Sequence, residues 1–529
     1  MSETISISDQ PEALKAMVLE LLKQVESYRA RIESLEQHIR LLKSALFAPK
    51  TEKFSAQEDP KQLRLFNEVE TLASQESPEE ERQTVGAHTR RRPKRKPLPE
   101  NLPRIEVIHD IPDGEKVCAC GSTLCRIGEE VNEKLDIIPA KIQVIRNIRY
   151  KYACKVCEGV EGQGPTVTLA PLPPEVIPKG IATPGLLAHI VISKYADGLP
   201  LYRQQKILAR YGIEIPRSTM AGWMVQTATA LNPMQALLEK RLLEGPLVNA
   251  DETRVQVLSE PGRENTSRST MWVFRGGDPQ NPVVLFKYST TRSGDVAKGV
   301  LQDYRGHVQS DGFSGYDTFD AHDSGIRLVG CFVHARRYFV KVVNALPKPM
   351  RDKKGNAHVA LDYIRQLYVI ENTLREQGLS MDELRDLRRE RVEPILAEFK
   401  EWLDEKAVQT PPKGLLGQAI HYALTQWEKL VRYLDDGHIT PDNNRAENAI
   451  RPFVVGRKNW LFCGHPNGAH ASATLYSLLE TAKACGLEPY AYMRFLLERL
   501  PYAVTQEDYA ALLPQSVSKE QLASYMARQ

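Results

Sequence analysis

The 529-residue sequence predicts a multidomain chain that combines an α/β part with wholly α-helical parts. Three observations carry that prediction. An apolar seam recurs at alternating gaps of four and three near the N-terminus, and five of the eight cysteines crowd between Cys118 and Cys157. From Pro246 onward, short strand-like segments give way to a long charged stretch of helical pattern. The length suits three or four domains, each able to bury its own core. With 70 Lys and Arg against 67 Asp and Glu the net charge is only +3, so any case for nucleic acid must rest on local clusters. Met1-Ser2-Glu3-Thr4 lacks the basic and apolar regions of a secretory signal, and no apolar run approaches the ~20 residues of a membrane helix. A cytoplasmic protein without membrane contact is therefore expected.

The seam runs Leu14, Val18, Leu21, Val25, Tyr28, Ile32, Leu35, Ile39, Leu42, Leu46. With Leu14 at d, the a positions hold Val18, Val25, Ile32 and Ile39, and Leu21, Leu35 and Leu42 follow at d. That assignment favours two parallel strands, so residues 1–50 are expected to dimerise as a coiled coil. The alternative, a helix packed on its own body, normally shows a wider stripe. Residues 51–104 read as a flexible linker that turns from acidic at Glu79–Glu81 to basic at Arg90, Arg91, Arg92, Lys94, Arg95 and Lys96. Those six cations could neutralise several phosphates, although such a run is more often a solvated tail.

Within 105–165, Cys118-Ala119-Cys120 and Cys154-Lys155-Val156-Cys157 flank a segment of strand-like alternation, Ile142–Tyr152. Four thiolates in tetrahedral array would hold a structural Zn2+ and leave no open position for water. Cys125 is a rival ligand, because the first pair is tighter than the usual two-residue gap. Pro165 to Pro184, with four further prolines between them, reads as a stiffer linker. In 185–240, a short helix Leu201–Arg210, a turn at Tyr211-Gly212-Ile213 and a second helix capped by Ser218 and running toward Ala230 resemble a helix-turn-helix, an arrangement also common in plain bundles. Strands are expected at Leu247–Ala250, Met271–Arg275, Val283–Tyr288, His307–Ser310 and Ile326–Gly330. An inserted helical subdomain follows over about 344–440, with Trp402 and Trp427 on apolar stripes.

Asp251 follows the first of these strands, and Asp311 follows Val308-Gln309-Ser310 and precedes Gly312, so both carboxylates are expected at strand ends. Neighbouring strand ends can bring two carboxylates within a few ångströms, where repulsion raises one pKa unless a cation is shared. Mg2+ (or Mn2+) meets that need, and two such ions suit phosphoryl transfer. Taken singly, each aspartate is more often a turn or capping residue. Glu447 lies in Pro441-Asp442-Asn443-Asn444-Arg445-Ala446-Glu447-Asn448. With Asn444 as N-cap it occupies the capping-box position, yet a helix start also presents a carboxylate well to a cation, and Asp442 competes for that role. Beyond it, Arg451 and Gly456-Arg457-Lys458-Asn459-Trp460 supply cations and an aromatic of the kind a phosphate-tracking surface needs.

Taken in order, these motifs resemble one family, the bacterial insertion-sequence transposases of the IS-sixty-six type. The resemblance spans nearly the whole chain. It rests on Leu46-Phe47 with Lys50-Thr51-Glu52-Lys53, Lys96-Pro97-Leu98-Pro99, the cysteine pairs and Leu199-Pro200-Leu201-Tyr202-Arg203. It continues through Ala250-Asp251-Glu252-Thr253, Ser310 to Tyr316, Cys331-Phe332-Val333-His334-Ala335-Arg336-Arg337, Asp442 to Glu447, and Gly456 to Phe462. Ala48-Pro49 and Thr51 stand where the family usually shows glycine, arginine and serine.

The resemblance implies a ribonuclease-H-like catalytic core in two parts, 245–343 and 441–475, interrupted by the helical insertion and followed by a C-terminal helical domain, 476–529. It implies that Asp251, Asp311 and Glu447 are the acidic triad holding two Mg2+ or Mn2+ ions, and that Cys331 and His334, a Cys-x-x-His signature, stand behind it. Arg445, Arg457 and Lys458 would steady phosphates while the basic run and the helix-turn-helix recognise DNA ends. The implied activity is metal-dependent hydrolysis at the ends of a mobile element followed by strand transfer. DNA, a second copy of the chain and small accessory proteins of the same element would be partners, in a bacterial cytoplasm and at the nucleoid when DNA is bound.

Overall fold

The computed structural model describes residues 142–153, 167–319, 325–351 and 353–528, together with individual helical positions between Lys15 and Ile39. The basic run 90–96 and Cys118, Cys120, Cys125, Cys154 and Cys157 lie outside the described residues. The chain forms two compact units, one of residues 69–172 and one of 1–68 with 173–529. Among the described residues no helix is long and apolar enough to cross a membrane.

In the smaller unit, β1 (Lys151–Ala153) pairs antiparallel with β2 (Val167–Leu169). The alternation over Ile142–Tyr152 does not make a strand of that length. Among the described residues only Lys151–Ala153 pair in a strand, and Ile142, Val144, Ile148 and Tyr150 are exposed. The start of the expected stiff linker supplies that neighbour, because β2 falls just after Pro165.

The larger unit opens with four helices: α1 (Pro184–Tyr195), α2 (Leu201–Arg210), α3 (Arg217–Ala230) and α4 (Asn232–Leu242). Thr183 caps α1 by accepting the Leu186 N–H, with Pro184 at the first helical position where a missing N–H costs nothing. Between α2 and α3, Gly212 takes φ +75°, which an L side chain would resist. Ser218 is not the cap of α3. The helix begins one residue earlier, after extended Pro216, and its first N–H is taken by Gln205 Oε1 from α2 at 3.2 Å.

Next comes a five-stranded mixed sheet in the order β5-β4-β3-β6-β7, built from β3 (Leu247–Gln256), β4 (Arg268–Gly276), β5 (Val283–Ser289), β6 (Gly306–Gln309) and β7 (Ile326–Val329). β3, β4 and β5 form an antiparallel meander, whereas β3, β6 and β7 run parallel. The short helix α5 (Asp295–Leu301) lies on the crossover from β5 to β6. Parallel pairing of β3 with β6 stops at Asn249 opposite Gln309, but β3 runs on to Gln256 paired only with β4. Asp251 is therefore inside a long strand, just past its parallel portion. The continuation was obscured because residues 251–256 are mostly polar on both faces.

β7 leads into α6 (Phe332–Ala345) and the short α7 (Lys348–Arg351), then into α8 (Asn356–Arg375), α9 (Met381–Gln409), α10 (Leu415–Thr425) and α11 (Trp427–Val431). All of these helices but α7 share a hydrophobic cluster that includes Leu367, Phe399, Leu403 and Ala419. Arg388, fully buried on α9, makes two hydrogen bonds of 2.9 Å to Glu371 and others to the carbonyls of Tyr433 and Ile439. Breaking such a pair would leave an uncompensated buried charge. Here it holds the segment that returns the chain to the sheet.

The return enters α12 (Asn444–Trp460), which packs on β3 and β4. α13 (Pro466–Ala484), α14 (Pro489–Arg499), α15 (Gln506–Ala511) and α16 (Lys519–Met526) complete the chain. α13 lies along the edge strand, where Ser477 and Thr481 hydroxyls accept the N–H groups of Phe286 and Val284 at 2.8 and 3.0 Å. An edge that would otherwise offer unpaired donors is thereby closed. Near the N-terminus the described seam residues Val18, Leu21, Val25, Tyr28, Ile32, Leu35 and Ile39 are helical and about half exposed.

Candidate active site

Asp251, Asp311 and Glu447 come together where β6 ends beside β3 and α12 begins. A buried network of three amides sits directly behind them. Asn249 Nδ2 donates to Gln309 Oε1 at 2.9 Å and to Asn443 Oδ1 at 3.0 Å, and Asn443 Nδ2 donates to the Ala250 carbonyl at 2.8 Å. Gln309 Nε2 reaches the carbonyls of Gly330 and Thr440 at 3.1 and 2.8 Å. Asn249 and Gln309 each precede an aspartate by two residues, and Asn443 precedes Glu447 by four. The network therefore ties the three chain segments that carry the acids. Low local dielectric strengthens these bonds and makes any unmade one costly.

Each acid is held differently. Among the described residues Asp251 Oδ1 accepts only the neighbouring Glu252 N–H, at 2.8 Å. Burial, then the charges of Glu252, Asp311 and Glu447, push its carboxyl up to about 8. Asp311 Oδ1 accepts the Phe313 N–H at 2.9 Å across the turn at Gly312, whose φ is +86°, while Tyr422 from α10 donates to the Asp311 carbonyl at 2.8 Å. Glu447 Oε2 accepts from Arg337 Nη2 at 2.7 Å. Glu447 is not a capping-box residue: α12 starts at Asn444 with Asn443 as N-cap, so Ala446 holds that third position. The Asn443 side chain is committed to the amide network instead of the helix end. Asp442 accepts the Asn444 N–H at 3.1 Å, and burial raises its carboxyl above the usual range.

Cys331 just before α6, His334 in its first turn and Glu447 of α12 place a sulfur, a nitrogen and an oxygen within 4.8 Å of one another. Cys331 is fully buried, its sulfur accepts the Asn443 N–H at 3.3 Å, and burial raises its thiol to about 12. It is a packed neutral thiol. Arg337 Nη1 is 3.0 Å from His334 Nε2. Arginine can only donate, so Nε2 accepts and the neutral ring carries its hydrogen on Nδ1. That Nδ1 lies 3.8 Å from Glu447 Oε1, and both atoms are buried without a hydrogen-bond partner among the described residues. Burial, then the Arg337 charge, hold His334 below its ordinary pKa.

The charges of Asp311 and Glu447 reach Asp251, and Glu447 Oε1 has no hydrogen-bond partner among the described residues, so the chemistry of these carboxylates suits a hard divalent cation; the donor atoms that lie within 4.8 Å of one another are those of Cys331, His334 and Glu447. Of the other cations expected to hold phosphates, Lys458 is exposed, whereas Arg457 donates to Thr253 Oγ1 at 3.0 Å and to the Arg254 carbonyl. Arg445 is mostly buried, and desolvation together with Arg275 and Arg375 weakens its hold on its proton. Arg337, Asn249, Gln309 and Asn443 had no role read from sequence. Arg337 left a trace, its spacing of three from His334 on a helix, but single amides beside strand ends leave none.

Comparison with known families matches four regions. The family described as "Transposase IS66 family" matches residues 179–471, and "zinc-finger binding domain of transposase IS66" matches 115–158. "Transposase C of IS166 homeodomain" matches 34–107, and "IS66 C-terminal element" matches 477–515. Among similar proteins of Sinorhizobium fredii, one named uncharacterized protein y4jD is 33% identical over 518 residues, covering 95% of this chain and 98% of that protein. A second, uncharacterized protein y4qI, is 32% identical and covers 96% and 97%. A third, uncharacterized protein y4hP, is 28% identical and covers 89% and 86%. With one family spanning the helices, the sheet and the acidic cluster, and its companion regions matched on either side in order, the chain belongs to the IS66 family of transposases.

Proposed function

We propose that this chain is a DNA transposase whose core is ribonuclease-H-like and whose catalytic carboxylates are Asp251, Asp311 and Glu447. What supports the reading is that the charges of Asp311, beyond β6, and Glu447, on α12, both reach the buried Asp251 carboxyl of β3 and help raise it. Asp251 and Asp311 would hold divalent metal from the strand side and Glu447 from the helix side, through the oxygen that Arg337 leaves free. A pair of Mg2+ or Mn2+ ions bound there supplies activation of the attacking oxygen and neutralisation of the leaving one. Arg337 and His334 keep the Glu447 carboxylate in one orientation, and the amide network fixes the spacing of the acids.

Phosphodiester hydrolysis at the element's ends, followed by attack of the freed 3′-hydroxyl on target DNA, needs no covalent enzyme intermediate. The basic run 90–96, α2 with α3, Arg445, Arg457 and Lys458 are the DNA-holding groups in this reading. Zn2+ bound by Cys118, Cys120, Cys154 and Cys157 braces the domain matched as a zinc finger. The exposed seam pairs two copies of the chain, and with them two DNA ends, and accessory proteins of the same element complete the assembly.

The test is incubation of the purified chain with end-bearing DNA and Mg2+ or Mn2+. Joined products support the reading. Nicks without joining would make it a nuclease, and bound but intact DNA a regulator. Asp311→Ala should abolish joining and leave DNA binding in place.

A further inference from the structure

Beyond Asn249 the parallel neighbour leaves β3, so among the described residues Asp251 to Gln256 has β4 on one side and no strand on the other. In that gap Arg457 donates to the Arg254 carbonyl, and farther along Val257 bridges Cys463 and the Gln256 carbonyl accepts the Cys463 N–H at 3.0 Å. Between the acids and this bridge lies a hollow of roughly 360 Å³ lined by Glu252, Thr253, Arg254, Thr270, Arg292 and Arg457.

Its charge is unbalanced. Glu252 is the sole carboxylate of the lining; its side chain is 2% exposed and already engaged, accepting from Arg292 through Nε at 2.8 Å and from Tyr316 at 3.2 Å. Arg292 also lies over the Phe313 ring at 3.9 Å, so its guanidinium is held in place with donors left over. Arg254 and Arg457 have no carboxylate partner among the described residues. The nearby charge of Arg268 adds to the burial that loosens the Arg457 proton. Planar guanidinium groups converging with threonine hydroxyls suit a tetrahedral oxyanion better than a carboxylate or an apolar ligand.

We propose that this hollow seats a backbone phosphate of a DNA strand whose neighbouring phosphodiester lies at the acidic cluster. The proposal rests on the functional reading above. Arg254 follows Asp251 by three residues on β3, ~10 Å at the rise of a strand, and its side chain leaves the opposite face, so a DNA strand that reaches both crosses the open edge of β3, where Thr253 and Arg457 lie on the Asp251 side. The continuity of the hollow with the free edge of β3 favours a strand running past it over a small free anion.

The test is equilibrium binding of the full chain, in EDTA, to a labelled 30-base-pair duplex from 50 to 300 mM salt, read by fluorescence anisotropy. Each phosphate contact contributes about 0.9 to the slope of log affinity against log salt. Arg254→Ala should lower that slope by about one without changing the melting temperature, and Arg254→Ala with Arg268→Ala should weaken binding at least tenfold at 100 mM salt. Arg365→Ala, an equal loss of charge at an exposed position on α8, should leave the slope alone. An unchanged slope for Arg254→Ala, or an equal fall for Arg365→Ala, overturns the proposal. So does stabilisation by inorganic phosphate that Arg254→Ala abolishes while DNA binding is unaltered, which would mark a free-anion site. Because the assay excludes metal, a wild-type chain that never nicks DNA yet shows the Arg254 effect would refute the transposase reading and leave the phosphate seat standing.

Discussion

Replacing Gln309 by leucine should damage the acidic cluster more than it damages the fold. The substitution keeps most of the side-chain volume but removes both donors. It strands the Gly330 carbonyl, which is buried, and the Thr440 carbonyl, which is partly buried, while Asn249 keeps its bond to Asn443. A buried polar group left unsatisfied costs about 1–3 kcal/mol, and the partly buried one less, so the loss should be about 2–4 kcal/mol. The 357 residues from Pro173 to Gln529 imply an unfolding entropy near 0.75 kcal/mol/K, at about 2.1 cal/mol/K per residue. The melting midpoint should then fall by about 3–5 °C in a calorimetric or fluorescence scan. Well below that midpoint the chain stays folded, yet Asp311 loses the side-chain ties that space it from Asp251 and Glu447. A displacement of 1 Å can cost about a hundredfold in rate, so Mg2+-dependent nicking at 25 °C should drop by about that factor. Gln418→Ala, an exposed amide on α10, is the control. A Gln309→Leu chain that melts lower but nicks at the wild-type rate would refute the claim that the network spaces the acids.

Other perturbations probe other parts of the site. Asp251, with a folded-state pKa of about 8 against an ordinary 3.8, binds a proton that the unfolded chain has lost between those values, so in EDTA stability should fall as pH rises from about 4 to 8. Metal must displace that same proton, so Mn2+ affinity measured by calorimetry should rise roughly 25-fold from pH 6.5 to 8.5; a flat profile would show that Asp251 is no ligand. Arg337→Ala removes a charge-assisted bond to Glu447 from a side chain 42% exposed, so its cost should be about 1 kcal/mol in EDTA and shrink in Mg2+, where the cation replaces the lost charge. An equal loss in both conditions would show that metal does not reach Glu447. Ile32→Lys puts a charge into the seam and should turn a dimer into a monomer in sedimentation velocity; an unchanged mass would place the dimer contact elsewhere.

The sequence by itself determined the elements whose signal is local. The helix Leu201–Arg210 and the strands around Val283, His307 and Ile326 each announce themselves by apolar periodicity within their own few residues. Asp251 and Asp311 stood out as candidates because each follows a short apolar segment, although Asp251 lies inside β3, and Glu447 because the family's motif order singled it out. Tertiary structure alone decided how β3 continues past Asp251, since pairing with β4 stabilises a polar segment that has no strand signature. It alone decided the start of α12, because Asn443 abandons the helix end for Asn249 and Ala250, and it alone brought Arg337 to Glu447 from 110 residues away. Those choices depend on hydrogen bonds between distant segments. A polar side chain has no preferred partner until the fold removes water from around it.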